Sequence, residues 1–478
     1  MAGVQVSTNG GSVTVLDDKT VQAFAGGLRG ALLRSGDPGY DEARRIWNGM
    51  MDKRPALIAR CSGVADVIDA VNFARTHDLL VAIRGGGHNV AGNASCDDGL
   101  MIDLSQMKAI RVDPQARTAR VQGGATWGDA DRETQVFGLA VPGGVVSTTG
   151  VAGLTLGGGM GWQMRKRGLS IDNLLSVDIV TADGRLLVAS ETENQELFWA
   201  VRGGGGNFGV VTSFEFRAHP VGPMVALCAP FYPEAIGPAV LRAWRDFMLK
   251  APEELGAAFL FWAVPEHPFF PKEVQGKPVV IPVAIYTGKV EDGERLVQPL
   301  RNLGTPLLDL SGPIPWTAVQ GMFDPFLPKS DFQYYWKSLY LETLGEEVVD
   351  HIVKLAAGRQ SLNTMVILLQ LGSAVSRVGA EATAFGRRDM GYLLELDSTW
   401  KDPKAAERNI GWTRQAWADT MRYSTGGIYL NFPGFGEEGE KLVRSALGSA
   451  NYERLAVLKK KYDPTNLFRL NLNIKPAA

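Results

Sequence analysis

A histidine that directly follows three glycines is the residue of this chain best placed to do chemistry. Residues 83–90 read Ile-Arg-Gly-Gly-Gly-His-Asn-Val and follow an apolar, strand-like stretch at residues 79–82. Because glycine has no Cβ, the backbone can turn sharply here and come close to a ligand. The amides exposed in such a turn bind anionic oxygens, here those of a pyrophosphate, and Arg84 adds a positive charge beside them. The pattern predicts that His88 reaches the reactive end of a phosphate-bearing cofactor.

Two further glycine-rich stretches suit the same kind of ligand. Residues 142–162 are too rich in glycine for the interior of a helix or a strand, and hydroxyl side chains at 147–149 accompany their bare amides. Four consecutive glycines occur at residues 203–206. Between the two stretches, Asp183-Gly184 separates alternating apolar runs and predicts a hairpin with a type I′ turn.

The glycines also raise the alternative of a Rossmann dinucleotide site. That fingerprint requires a strand, the sequence G-x-G-x-x-G and then a helix packed on the sheet. Residues 93–99, which follow the first glycine run, read Asn-Ala-Ser-Cys-Asp-Asp-Gly, a composition typical of turns. The missing helix argues against a Rossmann site.

The glycine-rich blocks and the C-terminal segment together resemble one known family. Residues 462–474 read Tyr-Asp-Pro-Thr-Asn-Leu-Phe-Arg-Leu-Asn-Leu-Asn-Ile. In order and spacing the blocks resemble the flavin domain of the vanillyl-alcohol-oxidase / p-cresol-methylhydroxylase (PCMH) superfamily, and within it the berberine-bridge-enzyme-like FAD-linked oxidases. The resemblance covers residues 40–474. It implies an α+β, two-domain PCMH-type FAD-binding fold with an inserted antiparallel-sheet substrate domain that helices cover.

The chain divides into four predicted parts. They are an N-terminal extension at 1–39, an FAD-binding domain at 40–220, a substrate-binding domain at 221–440 and a segment at 441–478 that returns to the FAD domain. Apolar spacing and N-cap residues predict helices at residues 18–33, 64–79, 126–137, 234–249, 291–303, 346–357, 403–421 and 440–462. Strands are predicted at residues 101–104, 109–112, 118–122, 224–232, 257–264, 279–286, 364–371 and 391–397.

The resemblance implies that His88 carries FAD through the flavin 8α-methyl group; a neutral histidine that contacts noncovalent FAD is the alternative. Many relatives add a second bond from a cysteine, and this chain has Val146 at that position. It therefore resembles the monocovalent branch, which includes 6-hydroxynicotine oxidases. In the family a small residue at the position of Gly144 leaves room for O₂, so the resemblance favours an oxidase over a dehydrogenase. Relatives also have a histidine where this chain has Leu154.

The other residues expected to bind FAD come from the glycine-rich blocks and the C-terminal motif. They are Arg84, Gly85, Gly86, Gly87, Asn89, Val90, Thr148, Thr149, Gly150, Gly153, Gly157, Gly158, Gly159, Gly161, Gly209, Val211, Asn471 and Asn473.

Residues that contact substrate are predicted on strands of the second domain. The catalytic carboxylate of plant relatives falls at Leu393, and Glu395 lies one pleat step, ~7 Å, away on the same strand face. Glu395 is either a base or a solvated strand residue, and the sequence leaves both open. The plant catalytic tyrosine falls at Phe432, while Tyr429 and Asn431 share one face of the predicted strand. Asn431 is the preferred polar contact, since amine-oxidising relatives use an asparagine in this motif.

Gln370, on the predicted strand 364–371, is a further inward candidate. An aromatic pocket wall is also predicted, although such residues commonly form ordinary sheet core. Its members are Phe259, Phe261, Trp262, Tyr286, Tyr334, Tyr335, Trp336 and Tyr340.

The implied reaction is hydride transfer to flavin N5 from a C–H next to nitrogen or oxygen, with O₂ as reoxidant giving H₂O₂. The substrate is expected to be small and aromatic or polycyclic. Loss of both plant catalytic positions argues mildly against alcohol or sugar oxidation, which benefits from removal of an O–H proton. The alternatives are a carbohydrate or alcohol oxidase, and a flavin-binding protein with little turnover.

Bulk composition narrows the partners and the location. The net charge of −2 gives no electrostatic case for nucleic acid or an anionic membrane, and no apolar run approaches the roughly 20 residues of a membrane helix. The first ten residues lack the features of a secretory signal, so we expect a cytoplasmic enzyme with a small-molecule substrate. Cys61, Cys96 and Cys228 are odd in number and lack metal-ligand spacing, so buried, inert thiols and no metal are expected. The oligomeric state stays open.

Overall fold

The computed structural model describes residues 3–437 and 439–478. Together these residues form two α+β domains. Within these ranges no helix combines the length and the apolarity needed to cross a membrane. The predicted fold class is confirmed: a first domain of small sheets with helices is followed by an antiparallel sheet with helices on one face.

Residues 3–220, called the first domain, supply four sheets of the described chain. Its strands are β1 Gly3–Ser7, β2 Val13–Asp17, β3 Ala31–Leu33, β4 Leu57–Arg60, β5 Val81–Arg84, β6 Leu100–Asp103, β7 Ile110–Asp113, β8 Thr118–Gln122, β9 Leu139–Ala140, β10 Leu174–Val180, β11 Leu186–Ser190, β12 Val210–Arg217 and β13 His219–Pro220. Its helices are α1 Asp18–Gly27, α2 Tyr40–Arg44, α3 Val64–Thr76, α4 Trp127–Gln135, α5 Val151–Leu156, α6 Met164–Arg167 and α7 Gln195–Val201.

Two sheets organise this domain. One has the order β3-β4-β6-β5, with β6 parallel to both β4 and β5, so the first glycine run begins where the parallel strand β5 ends. The other is antiparallel in the order β11-β10-β12-β8-β7. Because β3 lies within residues 1–39 and pairs with β4, the N-terminal residues contribute a strand to the first sheet.

Residues 221–437, called the second domain, contain the nine-stranded sheet. Its strands are β14 Met224–Cys228, β15 Pro230–Pro233, β16 Leu255–Ala263, β17 Pro278–Tyr286, β18 Leu308–Asp309, β19 Gly312–Pro315, β20 Gln333–Leu341, β21 Met365–Gln370 and β22 Tyr392–Trp400. Its helices are α8 Gly237–Met248, α9 Val290–Leu296, α10 Gln298–Arg301, α11 Trp316–Gln320, α12 Glu346–Ala357, α13 Ala374–Arg377 and α14 Ala406–Thr420, and α15 Gly439–Leu447 and α16 Ser449–Tyr462 follow it.

The sheet of the second domain separates a helical layer from the first domain. Its main path is β18-β15-β17-β16-β21-β22-β20, and each paired neighbour is antiparallel. Alternate side chains of β16, β21 and β22 pack with α8 and α12 in one core. The opposite face of the same strands joins a core that includes Trp47 and Met160 of the first domain. Strand alternation thus decides which side chains can face a cleft between the domains.

Several predicted elements end elsewhere, for local physical reasons. Helix α1 stops at Gly27 instead of residue 33, because Gly26 and Gly27 disfavour helix and β3 follows. The final helix is divided into α15 and α16 at Gly448, whose φ is +84°. The Asp183-Gly184 hairpin forms between β10 and β11, but only Gly184 has positive φ, so the turn is not type I′.

Candidate active site and cofactor cleft

A deep cleft lies between the two domains, at the carboxyl end of β5. The predicted FAD-binding residues that line it are Gly85, Gly86, Gly87, His88, Asn89, Gly144, Val146, Thr149, Gly150, Gly153, Gly157, Gly209, Val211 and Asn471. The facing wall comes from the second domain, with Trp336, Met365, Ile367, Leu369, Glu395, Asp397, Tyr429, Asn431 and Phe432. The three glycine-rich blocks and the predicted substrate strands therefore meet in one place.

The first glycine loop has the free amides that an anion needs. Among the described residues, no acceptor takes the backbone N–H groups of residues 86–89. Gly86 lies so close to the second glycine stretch that a Cβ there would be 2.5 Å from the Cα of Gly150, and Gly87 has a φ of +71°. Only glycine permits this backbone-on-backbone approach, and it leaves a concave row of donors suited to phosphate oxygens.

His88 projects from this loop as a neutral imidazole. Its Nε2 lies 3.0 Å from the hydroxyl of Thr148, and its ring stacks on Trp47 with ring centres 4.4 Å apart. Burial lowers the pKa of His88 to about 3, and the nearby Lys329 acts in the same direction. An unprotonated ring nitrogen keeps its lone pair, so the imidazole can accept a hydrogen bond or act as a nucleophile.

Arg84, which is predicted to bind FAD, contacts other residues of the first domain. It is the last residue of β5, lies opposite Asp103 on β6, and is buried. Its guanidinium donates to the carbonyl of Ala43 and lies 3.7 Å from the Asp103 carboxylate. Arg84 is therefore not among the residues that line the cleft; its guanidinium lies behind the glycine loop, next to Gly87, and contact with the cofactor stays a prediction.

Five other predicted residues shape the cleft without lining it. Val90 is buried and its carbonyl accepts from Asn48. Gly158 and Gly159 have φ of +123° and +85°, and a Cβ on Gly161 would lie 1.8 Å from the carbonyl of Gly143, so these glycines allow a tight turn. The side-chain oxygen of Asn473 is buried without a partner among the described residues.

Val146, which the family resemblance aligns with the flavin-binding cysteine of many relatives, lines the cleft. None of the three cysteines lines the described part of the cleft, and all are buried. Burial raises the pKa of Cys96 to about 12 and that of Cys228 to about 12, and it raises the pKa of Cys61 as well. These thiols are the inert, buried groups that the sequence predicts.

A buried lysine that the sequence analysis missed fixes the opposite end of the cleft. Lys459 on α16 is 0% exposed and donates to the Asp463 carboxylate at 2.7 Å, to the carbonyl of Asn207 at 2.7 Å and to that of Phe468 at 2.9 Å. Asn207, Phe468 and Asn471 line the cleft. The C-terminal segment is thereby joined to the third glycine block.

Two carboxyl groups face the cleft from β22. Strand alternation puts Leu393, Glu395 and Asp397 on the cleft side, while Leu394 and Leu396 pack among the helices. Glu395 is 5% exposed and Asp397 is 3% exposed. Burial holds the pKa of both well above the usual range, and the neighbouring Asp397 charge raises that of Glu395 further. Because Glu395 is buried, it is not a solvated strand residue. The same alternation along β22 could also have predicted that Asp397 faces the cleft.

Tyr429 and Asn431 reach the cleft from a loop, so the prediction of a strand is wrong here. The Asn431 amide donates to the Tyr429 hydroxyl at 2.8 Å and to the carbonyl of Leu154 at 3.0 Å. The Tyr429 oxygen also accepts from the amides of Gly159 and Met160, each at 3.2 Å. Burial raises the pKa of Tyr429 to about 12, so the phenol keeps its proton.

Gln370 faces away from the cleft. Met365, Ile367 and Leu369 are the cleft-facing residues of β21, so Gln370 has the opposite parity. Its amide donates to the carbonyl of Met248, at the end of α8. The prediction that Gln370 contacts substrate is wrong because the parity of β21 was assigned incorrectly.

The predicted aromatic wall is divided by the same alternation. Trp336 lines the cleft, and Trp262, Tyr334 and Tyr340 lie in the core on the cleft side of the sheet. Phe259, Phe261 and Tyr286 pack against the helices instead, and Tyr335 bonds to Glu437 and Arg414. Phe323, Tyr429, Phe432 and Phe468 supply further aromatic surface of the cleft.

The donor set of the first-domain wall fits FAD. Free amides at residues 86–89 match a pyrophosphate, and neutral His88 stands beside them. The buried side-chain oxygen of Asn471 has no partner among the described residues and can accept from a hydroxyl or amino group of the cofactor. Acceptance of a dinucleotide thus follows from the residues present.

Comparison with known proteins gives the same assignment. A family model described as an FAD binding domain matches residues 55–190, and one described as berberine and berberine like matches residues 428–475. An FAD-linked oxidoreductase of Dictyostelium discoideum is 32% identical over 95% of this chain and 97% of its own length. The (R)-6-hydroxynicotine oxidase of Paenarthrobacter nicotinovorans is 31% identical over 94% of this chain and 97% of its own length.

Solved structures extend the likeness to the fold. The crystal structure of 6-hydroxy-D-nicotine oxidase from Arthrobacter nicotinovorans superposes with a TM-score of 0.83 at 28% identity, covering 94% of this chain and 98% of that one. Physcomitrella patens BBE-like 1 gives a TM-score of 0.84 at 26% identity, covering 96% and 99%. With its FAD cleft, its two domains and these relatives, the chain belongs to the berberine-bridge-enzyme-like family of FAD-linked oxidoreductases.

Proposed function

We propose that this enzyme is an oxidase that removes hydride from a C–H bond next to nitrogen or oxygen of a small, aromatic or polycyclic substrate. FAD, when bound, accepts the hydride at N5 and passes the two electrons to O₂, which leaves as H₂O₂. The observation that carries this proposal is the buried carboxyl pair, Glu395 and Asp397, in the same cleft as His88.

The carboxyl pair supplies a proton acceptor. Two neighbouring carboxyl groups away from water hold a proton more tightly than isolated ones, because ionising both costs desolvation and mutual repulsion. In its carboxylate form Glu395 takes a proton from a substrate N–H or O–H as hydride leaves, and its raised pKa strengthens it as a base. Asp397, on the same face, sets that proton affinity through its charge.

Tyr429 and Asn431 orient the substrate. The Tyr429 oxygen already accepts hydrogen bonds from Asn431, Gly159 and Met160, and no described acceptor takes its own hydrogen. Its O–H can therefore donate to a polar atom of the substrate. Around it, Trp336, Ile367, Leu369 and Phe432 form an apolar surface that matches a flat ring.

An amine is the substrate class that we place first. A substrate nitrogen that arrives protonated pairs with the carboxyl pair and loses its proton to it before hydride transfer. The relative named for 6-hydroxynicotine oxidation supports this choice. Oxidation of a carbohydrate or an alcohol is the second candidate. It is favoured by the burial of Glu395 in the cleft, because an O–H group needs a base that is held in position.

We further propose a single covalent bond from His88 to the flavin 8α carbon, supported by the neutral imidazole and by Val146 at the cysteine position. Gly144 in the cleft supports O₂ as the acceptor. The near-neutral charge of the chain supports a small-molecule substrate, with neither nucleic acid nor an anionic membrane as a partner.

The test is release of H₂O₂ by the purified holoenzyme over panels of amines, sugars and phenols. We expect turnover in the amine panel, with Glu395→Gln slowing flavin reduction at least tenfold. The matched control is Gln370→Leu, which lies on the helix side of the sheet and should keep the wild-type rate. If no compound in any panel bleaches the flavin, turnover is contradicted. Equal rates for Glu395→Gln and wild type would exclude Glu395 as the base.

A further inference from the structure

The two carboxyl groups of β22 have different surroundings in the cleft. Glu395 is paired with Ser338 of β20 and Ile367 of β21, and the Ser338 hydroxyl accepts from the backbone N–H of Tyr429. Burial raises the pKa of Tyr429, and the charge of Glu395 raises it further. Glu395 therefore lies at the end of the cleft where the Tyr429 hydroxyl meets the cofactor wall at Gly159.

Asp397 lies in an aromatic and apolar corner, two residues further along the same strand. It is paired with Trp336 of β20, and its partner on β21 is the apolar Met365. The Trp336 ring centre is 5.1 Å from that of Trp47, whose ring stacks on His88. Asp397 is therefore on the His88 side of the cleft, one pleat step, ~7 Å, from the other carboxyl group.

The described lining of the cleft offers these two carboxyl groups no positive side chain. It contains no lysine and no arginine, and burial keeps its other titratable side chains, His88 and Tyr429, uncharged. Asp397 is 3% exposed, and its Oδ1 has no hydrogen-bond partner among the described residues. A buried carboxylate without a counter-charge is costly, so this corner favours a ligand that brings a positive charge.

We infer that Asp397 and Trp336 form a subsite for a positively charged group of the substrate, distinct from the atom that gives its proton to Glu395. The carboxylate supplies the counter-charge, and an indole ring attracts a cation that has lost its water. The substrate class is thus an aromatic compound with a cationic amine or quaternary ammonium group, held one pleat step, ~7 Å, from the reacting end. In giving Glu395 the reacting end, this inference rests on the proposed function.

A cation at Asp397 also turns Glu395 into a base when the substrate arrives. Without a cation beside it, burial and the neighbouring Asp397 charge hold the pKa of Glu395 well above its usual range. A positive charge next to two carboxyl groups favours their ionised forms, so protons leave the pair for solvent. A neutral substrate has no such effect. The cleft therefore selects charged substrates twice, in binding and in forming the carboxylate.

The test uses benzyltrimethylammonium, whose quaternary nitrogen carries no proton, and its uncharged carbon isostere, neopentylbenzene. Each is titrated into the holoenzyme at neutral pH, and binding is followed by the flavin absorption spectrum and by calorimetry in buffers of different ionisation enthalpy. Wild type should bind the cation at least about tenfold more tightly than the isostere. It should also release protons to the buffer, and these come from the protein because the probe has none to give.

Asp397→Asn keeps the size of the side chain and removes its charge. It should bring the two affinities to within about twofold of each other and reduce the release of protons. The matched control is Asp402→Asn, which removes the same charge from an exposed residue just past the end of β22 and should keep the wild-type values. The comparison of the two probes on wild type needs no variant, so it tests the inference even where Asp397→Asn fails to fold.

The outcomes separate the claims. Equal affinity of wild type for the two probes would overturn the inference, as would a preference for the cation that Asp397→Asn leaves unchanged or that Asp402→Asn also removes. Binding of the cation without release of protons would overturn the activation of Glu395. Preferential binding of the cation by an enzyme whose flavin no compound of the panels reduces would contradict the proposed oxidase function and support the subsite.

Discussion

Replacing Lys459 by methionine should destabilise the fold strongly, because Lys459 and Asp463 form an ion pair that is 0% exposed on both sides. The substitution leaves the Asp463 carboxylate without its cation and the carbonyls of Asn207 and Phe468 without a donor. Removing one member of a buried pair costs ~3–5 kcal/mol. The amides of Leu467 and Phe468 still bond to Asp463, at 2.8 and 2.9 Å, so we expect a loss near the lower end, ~3 kcal/mol.

Urea unfolding of the holoenzyme measures this loss as a change in the free energy of unfolding. Lys461→Met is the matched control, because Lys461 is 59% exposed and its pair with Glu196 spans 3.8 Å; it should cost less than ~1 kcal/mol. Adding Asp463→Asn to Lys459→Met removes the uncompensated charge and should restore part of the stability. Equal free energies for the two lysine variants, or no recovery in the double variant, would refute the reasoning.

Four further predictions concern the cleft. Because Glu395 acts as a base only when it is ionised, reduction of the flavin by substrate should speed up as pH rises through the raised pKa of Glu395. Glu395→Gln should flatten this limb of the pH–rate profile, and an unchanged limb would exclude Glu395 as the base. Above the pKa of these carboxyl groups in the unfolded chain, the folded state still holds protons on Glu395 and Asp397 that the unfolded state has lost, so the free energy of unfolding falls as pH rises. Glu395→Gln should therefore gain stability relative to wild type at higher pH, as measured by urea unfolding. Gly144→Val should slow reoxidation at least tenfold and leave substrate reduction unchanged. Asn431→Ala should slow substrate reduction about tenfold, ~1.4 kcal/mol. Stopped-flow measurement of the two half-reactions tests both, and slower reduction in Gly144→Val or slower reoxidation in Asn431→Ala would contradict the assigned roles.

Most of the residues that the sequence predicts to bind FAD line the cleft, because that wall is mostly backbone. Gly86, Gly87 and Gly150 are required by close approach and positive φ, and such requirements leave a direct mark on the sequence. Glu395 could be placed for a similar reason, since a period of two carries its orientation along the strand from Leu393.

Other residues depend on contacts that no local pattern records. Gln370 ends a strand whose parity is set by its partners β16 and β22, and Arg84 is drawn to Asp103 across a parallel pair. Lys459 belongs to a run of three lysines, and only the packing of α16 on the glycine block makes the first of them buried. The loop that carries Tyr429 and Asn431 is fixed by bridges to β20 at its two ends, which is a tertiary feature.

The most direct test of the account is a peptide map of the denatured holoenzyme by mass spectrometry. The account predicts FAD attached once, to the peptide that contains His88, and predicts that His88→Ala still folds with FAD but releases all of it on denaturation. FAD that dissociates from denatured wild type would contradict the covalent bond, as would an adduct on any residue other than His88. Purified protein that contains no FAD would contradict the cleft assignment itself.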